Sequence, residues 1–260
     1  MKQYQVSIVI ITEKSTLSQE EQFSLDCALE VFATFNKYLV IPESTVEYPY
    51  LKESQTNVLK LPSRHFANVN AYSALLLSAD FYENFIDSEY ILIYQLDCLV
   101  FKNDFSEFLA FDYVGAPWYQ TQNHAANAII RTLLFRKPLK AIQLIGLWYL
   151  RRKTDAVGNG GLSLRKVDKF IEITSNPRIK KILSSWLKCP RPHEDIFFSL
   201  MVPMFYKDFK IADLLTATKF SFETHPRECY KLNNNTLPLG CHAWEKHDPE
   251  FWRKIIRNYE

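Results

Sequence analysis

Runs of consecutive apolar residues, broken by short polar stretches, mark the first hundred positions. Gln5 to Ile11 reads Gln-Val-Ser-Ile-Val-Ile-Ile, which predicts a strand buried on both faces. Ser18-Gln19-Glu20-Glu21 has the form of a capping box: Ser18 can accept an orphan helix N–H, and Glu21 can reach back to the cap. Phe23, Cys27, Val31 and Phe35 then recur at i+4 spacing and predict a helix. Tyr38 to Ile41 predicts a second strand closed by Pro42, and Val58 to Leu61 a third. Val69, Tyr72, Leu76 and Ala79 lie on one face of a predicted helix, and Tyr90 to Tyr94 makes a central strand apolar on both faces. Val/Ile-rich strands alternating with helices favour a mainly parallel sheet covered on both sides.

Beyond that strand the alternation breaks down. Tyr113 to Thr154 contains no Asp or Glu but carries Arg131, Arg136, Lys137, Lys140, Arg151, Arg152 and Lys153. Helices are predicted near Arg165–Thr174, Arg178–Leu187 and Glu194–Val202, with a strand near Lys219–Phe222. A last helix starts at Asp248 and Pro249, where an Asp cap before Pro at the first helical position fits a helix start. No internal repeat, low-complexity stretch or separating linker divides the chain.

Composition narrows the class. The 260 residues are 47% hydrophobic, 15% aromatic and 23% charged, with a formal net charge of +2. These values indicate a folded globular chain and argue against disorder or nucleic-acid binding. Five cysteines, Cys27, Cys98, Cys189, Cys229 and Cys241, show no metal-ligand or disulfide spacing, which predicts buried thiols in a reducing compartment. The first strand begins too abruptly for a signal peptide, and no apolar run approaches the ~20 residues of a membrane span. The expected location is cytoplasmic, with peripheral contact to the inner face of the membrane left open.

Candidate chemistry concentrates where glycine does. Only six glycines occur, and five lie in Gly115-Ala116-Pro117-Trp118, Gly158-Asn159-Gly160-Gly161 and Gly240-Cys241-His242. Glycine used so sparingly marks positive φ or a close backbone approach to a ligand. Asp97 follows the central strand, at the sheet edge where α/β proteins bind ligands. There it can serve as a hard ligand for Mg²⁺ or Mn²⁺, or cap a turn. Glu194 and Asp195 open an apolar helix. Acidic residues are normal there, but the pair can also place one carboxylate in the core and the other in a cleft, where it can act as a base. His242 can join Asp97 on a metal or serve the structure alone.

These elements, in this order, resemble the core of GT-A glycosyltransferases, and more closely a bacterial family of DUF5672 type. The residues that carry the resemblance are Tyr94-Gln95-Leu96-Asp97, Gly115-Ala116-Pro117-Trp118, Gly158 to Arg165, Glu194 to Phe198 and Leu239 to Trp244. The resemblance implies an α/β fold: a Rossmann-like, mainly parallel sheet flanked by helices, with a basic and apolar helical insertion. It implies one catalytic domain over 1–260, with a nucleotide-sugar half at 1–112, the insertion at 119–156 and an acceptor half at 157–260.

Gln95 and Asp97 match the Asp-x-Asp element, with Gln replacing the first Asp. Asp97 and His242 match the metal ligands, Asp195 the base of inverting members, and Asn159, Gly160 and Gly161 the loop between donor and acceptor. Thr12 and Glu13 fall where the nucleotide base is held, and Arg64 lies in a loop able to reach the diphosphate. The implied activity is sugar transfer from a nucleotide-diphospho-sugar to a hydroxyl of a glycan, lipid-linked or protein-linked acceptor, in surface polysaccharide or glycoconjugate assembly. A divalent cation would assist, and inversion by direct displacement is expected. A non-catalytic sugar-nucleotide or glycan-binding protein on the same fold, and a metal-dependent hydrolase, are the rival readings.

Overall fold

The computed structural model describes residues 5–49, 56–118 and 156–256. The insertion expected at 119–156, with its basic and apolar run, lies almost wholly outside the described residues.

Six strands form the main sheet, in the order β3-β2-β1-β4-β9-β6. They are β1 (Val6–Ile11), β2 (Asn36–Pro42), β3 (Asn57–Leu61), β4 (Tyr90–Tyr94), β9 (Leu162–Lys166) and β6 (Tyr113–Val114). The first four run parallel, and β9 pairs antiparallel with both β4 and β6. Alternation with period two divides β1 and β4 between two cores. Val6, Ile8, Ile10, Tyr90, Leu92 and Tyr94 enter one; Val9, Ile11, Ile91 and Ile93 enter the other. Both faces being buried explains why the strands read as unbroken apolar runs.

The first core is closed by α1 (Gln19–Val31), whose capping box forms as the Ser18–Glu21 spacing predicts. On the other face lie α2 (Val69–Leu76), α3 (Ala79–Glu83), α4 (Val167–Ser175), α5 (Pro177–Trp186) and α6, spanning 194–205. The single helix expected through Ala79 is thus two, because Ser78 caps a new one by accepting from the Phe81 N–H. Arg165, expected in a helix, belongs to β9, where pairing with β4 and β6 overrides helical propensity. The strand expected at Lys219–Phe222 is shorter. Helix α7 (Leu214–Phe220) runs into β10 (Ser221–Phe222). The C-terminal helix starts at Pro249, and Asp248 accepts from the Phe251 N–H.

Two strands, β7 (Pro117–Trp118) and β8 (Ala156–Val157), pair on their own, and a small sheet of which only β10 was expected has the order β10-β11-β5, with β5 at Cys98–Val100 and β11 at Gly240–His242. No disulfide joins the five thiols. Among the described residues no helix is long and apolar enough to cross a membrane.

Arg165 is 0% exposed. Its Nε donates to Ser163 Oγ at 3.0 Å and its Nη1 to Tyr82 OH at 2.9 Å. Nη2 stands 3.5 Å from Glu194 Oε1, and Ser73 Oγ donates to Glu194 Oε2 at 2.9 Å. The rings of Tyr113, Phe170 and Phe198 pack around the guanidinium. Removing one member of such a pair strands the other charge in the core, at a cost of about 3–5 kcal/mol. Arg165→Met is therefore expected to lower unfolding stability by that amount in denaturant titrations, with Glu194→Gln in the same chain recovering part of the loss. A single variant as stable as the parent would show that the pair does not hold the fold.

Candidate active site

Strand order reverses at β1: the chain builds outward to β2 and β3, then returns to place β4 on the other side. Crevices in open α/β sheets form at such a switch point, beyond the carboxyl ends of the strands. A cleft of about 570 Å³ lies there. Thr12 and Glu13 reach it from the end of β1, Gln95 and Asp97 from the end of β4, and Asn159, Gly160 and Gly161 from the turn before β9. Asp195 enters from α6 and His242 from β11. Residues scattered along the chain thus meet in one place. Arg64 does not: it sits exposed on the turn Ser63–Phe66 and is not part of the lining.

The small sheet explains the meeting of the polar groups. Its antiparallel register sets His242 opposite Cys98, so Asp97 precedes the pairing point. Parallel pairing of β10 with β11 sets Phe222 opposite Cys241, so Glu223 emerges beside His242. His242 Nε2 lies 3.3 Å from both Asp97 Oδ1 and Gln95 Oε1, and its Nδ1 lies 3.2 Å from Glu223 Oε1. Burial alone would depress the imidazole, but the Asp97 and Glu223 carboxylates outweigh it and hold the ring up at about 9. Burial acts against ionised Asp97 too, yet the neighbouring imidazolium keeps it below its usual range.

The glycine loop works differently from its sequence reading. No described glycine has positive φ; Asn159 does, at 147°. A non-glycine residue held there costs on the order of 1–3 kcal/mol. Its anchors are the Gly161 N–H donating to Asn159 Oδ1 at 2.6 Å and the Tyr113 hydroxyl, bonded to both Asn159 backbone groups. The glycines serve close approach, but to protein side chains as well as to the cleft. A Cβ on Gly160 would stand 2.2 Å from Glu194 Oε1, and one on Gly161 2.2 Å from His242 Nε2.

Glu194 and Asp195 divide as two neighbouring helical positions can. Glu194, 4% exposed, turns into the core against Arg165, while Asp195 is half-buried on the cleft. Loss of hydration, then repulsion from the Glu194 carboxylate, push Asp195 up to about 7. A carboxylate poised there can accept a proton near neutral pH.

The donors fit a divalent cation. Asp97 Oδ1 is buried and makes no hydrogen bond. Octahedral ligands at about 2.0–2.1 Å stand roughly 3 Å apart, close to the 3.3 Å separating Asp97 Oδ1 and Gln95 Oε1 from His242 Nε2. Among the described residues no three His, Cys, Asp or Glu side chains converge on a metal position; the third donor here is the Gln95 amide oxygen. That amide is steered by its Nε2, which donates to Tyr72 OH at 3.0 Å. Lys14, Tyr72, Ser73 and Glu223 line or support the cleft and were not singled out from the sequence. No local motif marks them. The β10 pairing that places Glu223 is visible only in three dimensions.

Solved glycosyltransferase structures share this architecture. Galactosyltransferase LgtC, in complex with donor and acceptor sugar analogues, aligns with a TM-score of 0.50 and 13% identity over 91% of this chain and 86% of its own. The Mn/GDP form of core-mannan synthase A (CmsA/Ktr4) from Aspergillus fumigatus gives 0.52 and 7% identity over 81% of this chain and 72% of its own. The apo form of glycosyltransferase GlyE from Streptococcus pneumoniae TIGR4 gives 0.49 and 12% identity over 92% of this chain, which spans 54% of that structure's chain. Identities this low establish the fold, which is of GT-A type. Comparison with curated proteins gives no match. The family model described as "Protein of unknown function (DUF5672)" matches residues 55–242, and the chain belongs to that family.

Proposed function

We propose that the protein is a glycosyltransferase that moves a sugar from a nucleotide-diphospho-sugar to an acceptor hydroxyl. The observation that carries this reading is the convergence of Gln95, Asp97, His242 and Asp195 on one cleft at the switch point of a GT-A fold. LgtC, on the same fold, accommodates donor and acceptor sugar analogues together.

Asp195 takes the proton of the acceptor hydroxyl as that oxygen attacks the anomeric carbon, and the nucleoside diphosphate leaves with the electron pair of the broken bond. Displacement of this kind inverts the anomeric centre. Asp97, His242 and Gln95 would hold a divalent cation, which supplies positive charge against the leaving diphosphate. The cleft itself is acidic. Glu13, Glu21, Asp97, Asp195 and Glu223 face it, Glu194 at its wall is paired with Arg165, and its Lys14 is paired with Glu21. A diphosphate therefore gains from arriving with a cation. Thr12 and Glu13 face the donor from the end of β1, where they are assigned to the nucleoside. Asn159, Gly160 and Gly161 separate donor sugar from acceptor. The single catalytic domain, with its nucleotide-sugar half before about residue 112 and its acceptor half after about 157, follows from the same reading, as does cytoplasmic work in glycan assembly.

A thermal-shift screen of nucleotide sugars, with and without Mn²⁺, tests the donor. Ligand at a hundredfold excess over its Kd stabilises by about 2.7 kcal/mol, so a matching donor raises Tm and Mn²⁺ enlarges the shift. If no nucleotide or nucleotide sugar shifts Tm under either condition, the transferase reading fails. Binding without transfer would instead favour a sugar-nucleotide-binding protein.

Asp195→Asn is expected to lower kcat by about 10²–10⁴ while leaving donor affinity nearly unchanged. In the parent, kcat should rise with pH and level off above about 7, following the raised Asp195 carboxyl. The linkage has the opposite sign for stability. A carboxyl raised in the folded state binds its proton more tightly there, so its contribution is full below about 3.9 and is lost as pH rises through about 7. Above that pH, Asp195→Asn should be at least as stable as the parent in denaturant titrations. A variant with parental kcat would remove Asp195 from the chemistry.

A further inference from the structure

His242 has two competing partners at Nδ1. Asn159 Nδ2 lies 2.9 Å away and Glu223 Oε1 3.2 Å away. They favour opposite arrangements of the ring. Asn159 Nδ2 carries only hydrogens, and the amide cannot turn around, because its Oδ1 is held by the Gly161 N–H at 2.6 Å. A neutral imidazole that accepts from Asn159 must keep its proton on Nε2. That proton then points toward Gln95 Oε1 and Asp97 Oδ1 and closes Nε2 to any cation. Only a proton on Nδ1 leaves the Nε2 lone pair free, and that arrangement needs an acceptor.

We propose that Glu223 is a positioning residue. By accepting the Nδ1–H of His242 it turns the Nε2 lone pair toward Asp97 and Gln95, and so prepares the cation site on which the transferase reading rests. Metal-binding histidines commonly donate their second N–H to a carboxylate in this way, and loss of that partner costs about 10–100-fold in affinity. Local structure makes Glu223 a rigid acceptor. It follows Ser221 and Phe222, both 0% exposed and paired with β11, the strand that carries His242. The carboxylate is itself only 18% exposed and the imidazole 15%. Asn159 opposes it from the glycine loop at the same nitrogen, so a bound cation would favour the Glu223 partner over Asn159.

Mn²⁺ titrated into the full chain, with the free ion followed by electron paramagnetic resonance, tests the proposal. Glu223→Ala should weaken Mn²⁺ binding about 10–100-fold. Glu223→Gln keeps an oxygen able to accept the Nδ1–H while losing the charge, so it should recover most of that affinity. Melting of each variant without Mn²⁺ identifies any that fail to fold. Parental affinity in a folded Glu223→Ala overturns the proposal. Equal losses in the Ala and Gln variants overturn it too, because they would assign the effect to charge attraction alone. A parent that binds Mn²⁺ while the Ala variant binds equally well leaves the transferase reading standing without this role for Glu223. A parent that binds no Mn²⁺ removes the cation from that reading and this proposal with it.

Discussion

A guanidinium without access to water sits where the main sheet meets the helices of its second face. Arg165 cannot be neutralised there, so its five N–H groups and its charge must be answered by the protein. Ser163 takes the Nε–H, Tyr82 accepts from Nη1 and Glu194 stands against Nη2, while three aromatic rings close the space. The pairing ties β9 to the first turn of α6. Because Glu194 is committed to the core, the next residue, Asp195, is delivered to the cleft. The same Glu194 oxygen also lies where a side chain on Gly160 would have to go. One buried ion pair thus sets the positions of the candidate base and of the loop facing it.

The metal side of the cleft depends on a second constraint, the register of three very short strands. Asp97, His242 and Glu223 come from segments far apart in sequence, and none is adjacent to another along the chain. Pairing of β5, β11 and β10 brings them into line. Electrostatics then follows from the arrangement. Two carboxylates on either side of one imidazole raise it, and the imidazole in turn lowers Asp97. On the other side of the cleft, lost hydration and then the Glu194 carboxylate outweigh the Ile196 N–H and the Arg165 charge at Asp195, which moves up. Carboxylates in one crevice are driven in opposite directions by what lies beside them, which suits one to hold charge and another to accept a proton.

Much of this was legible in the chain. The capping box at Ser18–Glu21 and the apolar runs of β1, β2 and β4 depend on local pattern, and they appear at the expected places. The strands β5 and β11 were not visible, and β10 only as the end of a longer expected strand, since two or three residues carry no periodicity. Strand β9 was hidden by its own polar positions, Ser163 and Arg165, which are tolerated only because partners wait for them in the core. Of the two reasons for glycine that the sequence offered, positive φ or close approach, Gly160 and Gly161 show the second, against the side chains of Glu194 and His242. Left-handed backbone falls to Asn159, whose side chain bonds locally in compensation.

What the sequence determined alone was the alternation of buried strands and helices, and with it the sheet edge at which polar residues such as Asp97 had to emerge. Those features are set by burial and by interactions within a few residues. Which of Glu194 and Asp195 faces the cleft, that Glu223 stands beside His242, and that Arg64 stands apart were decided only by tertiary structure. Each depends on contacts between groups tens of residues or more apart, and on a register that shifts side chains by whole positions when a strand slips by one.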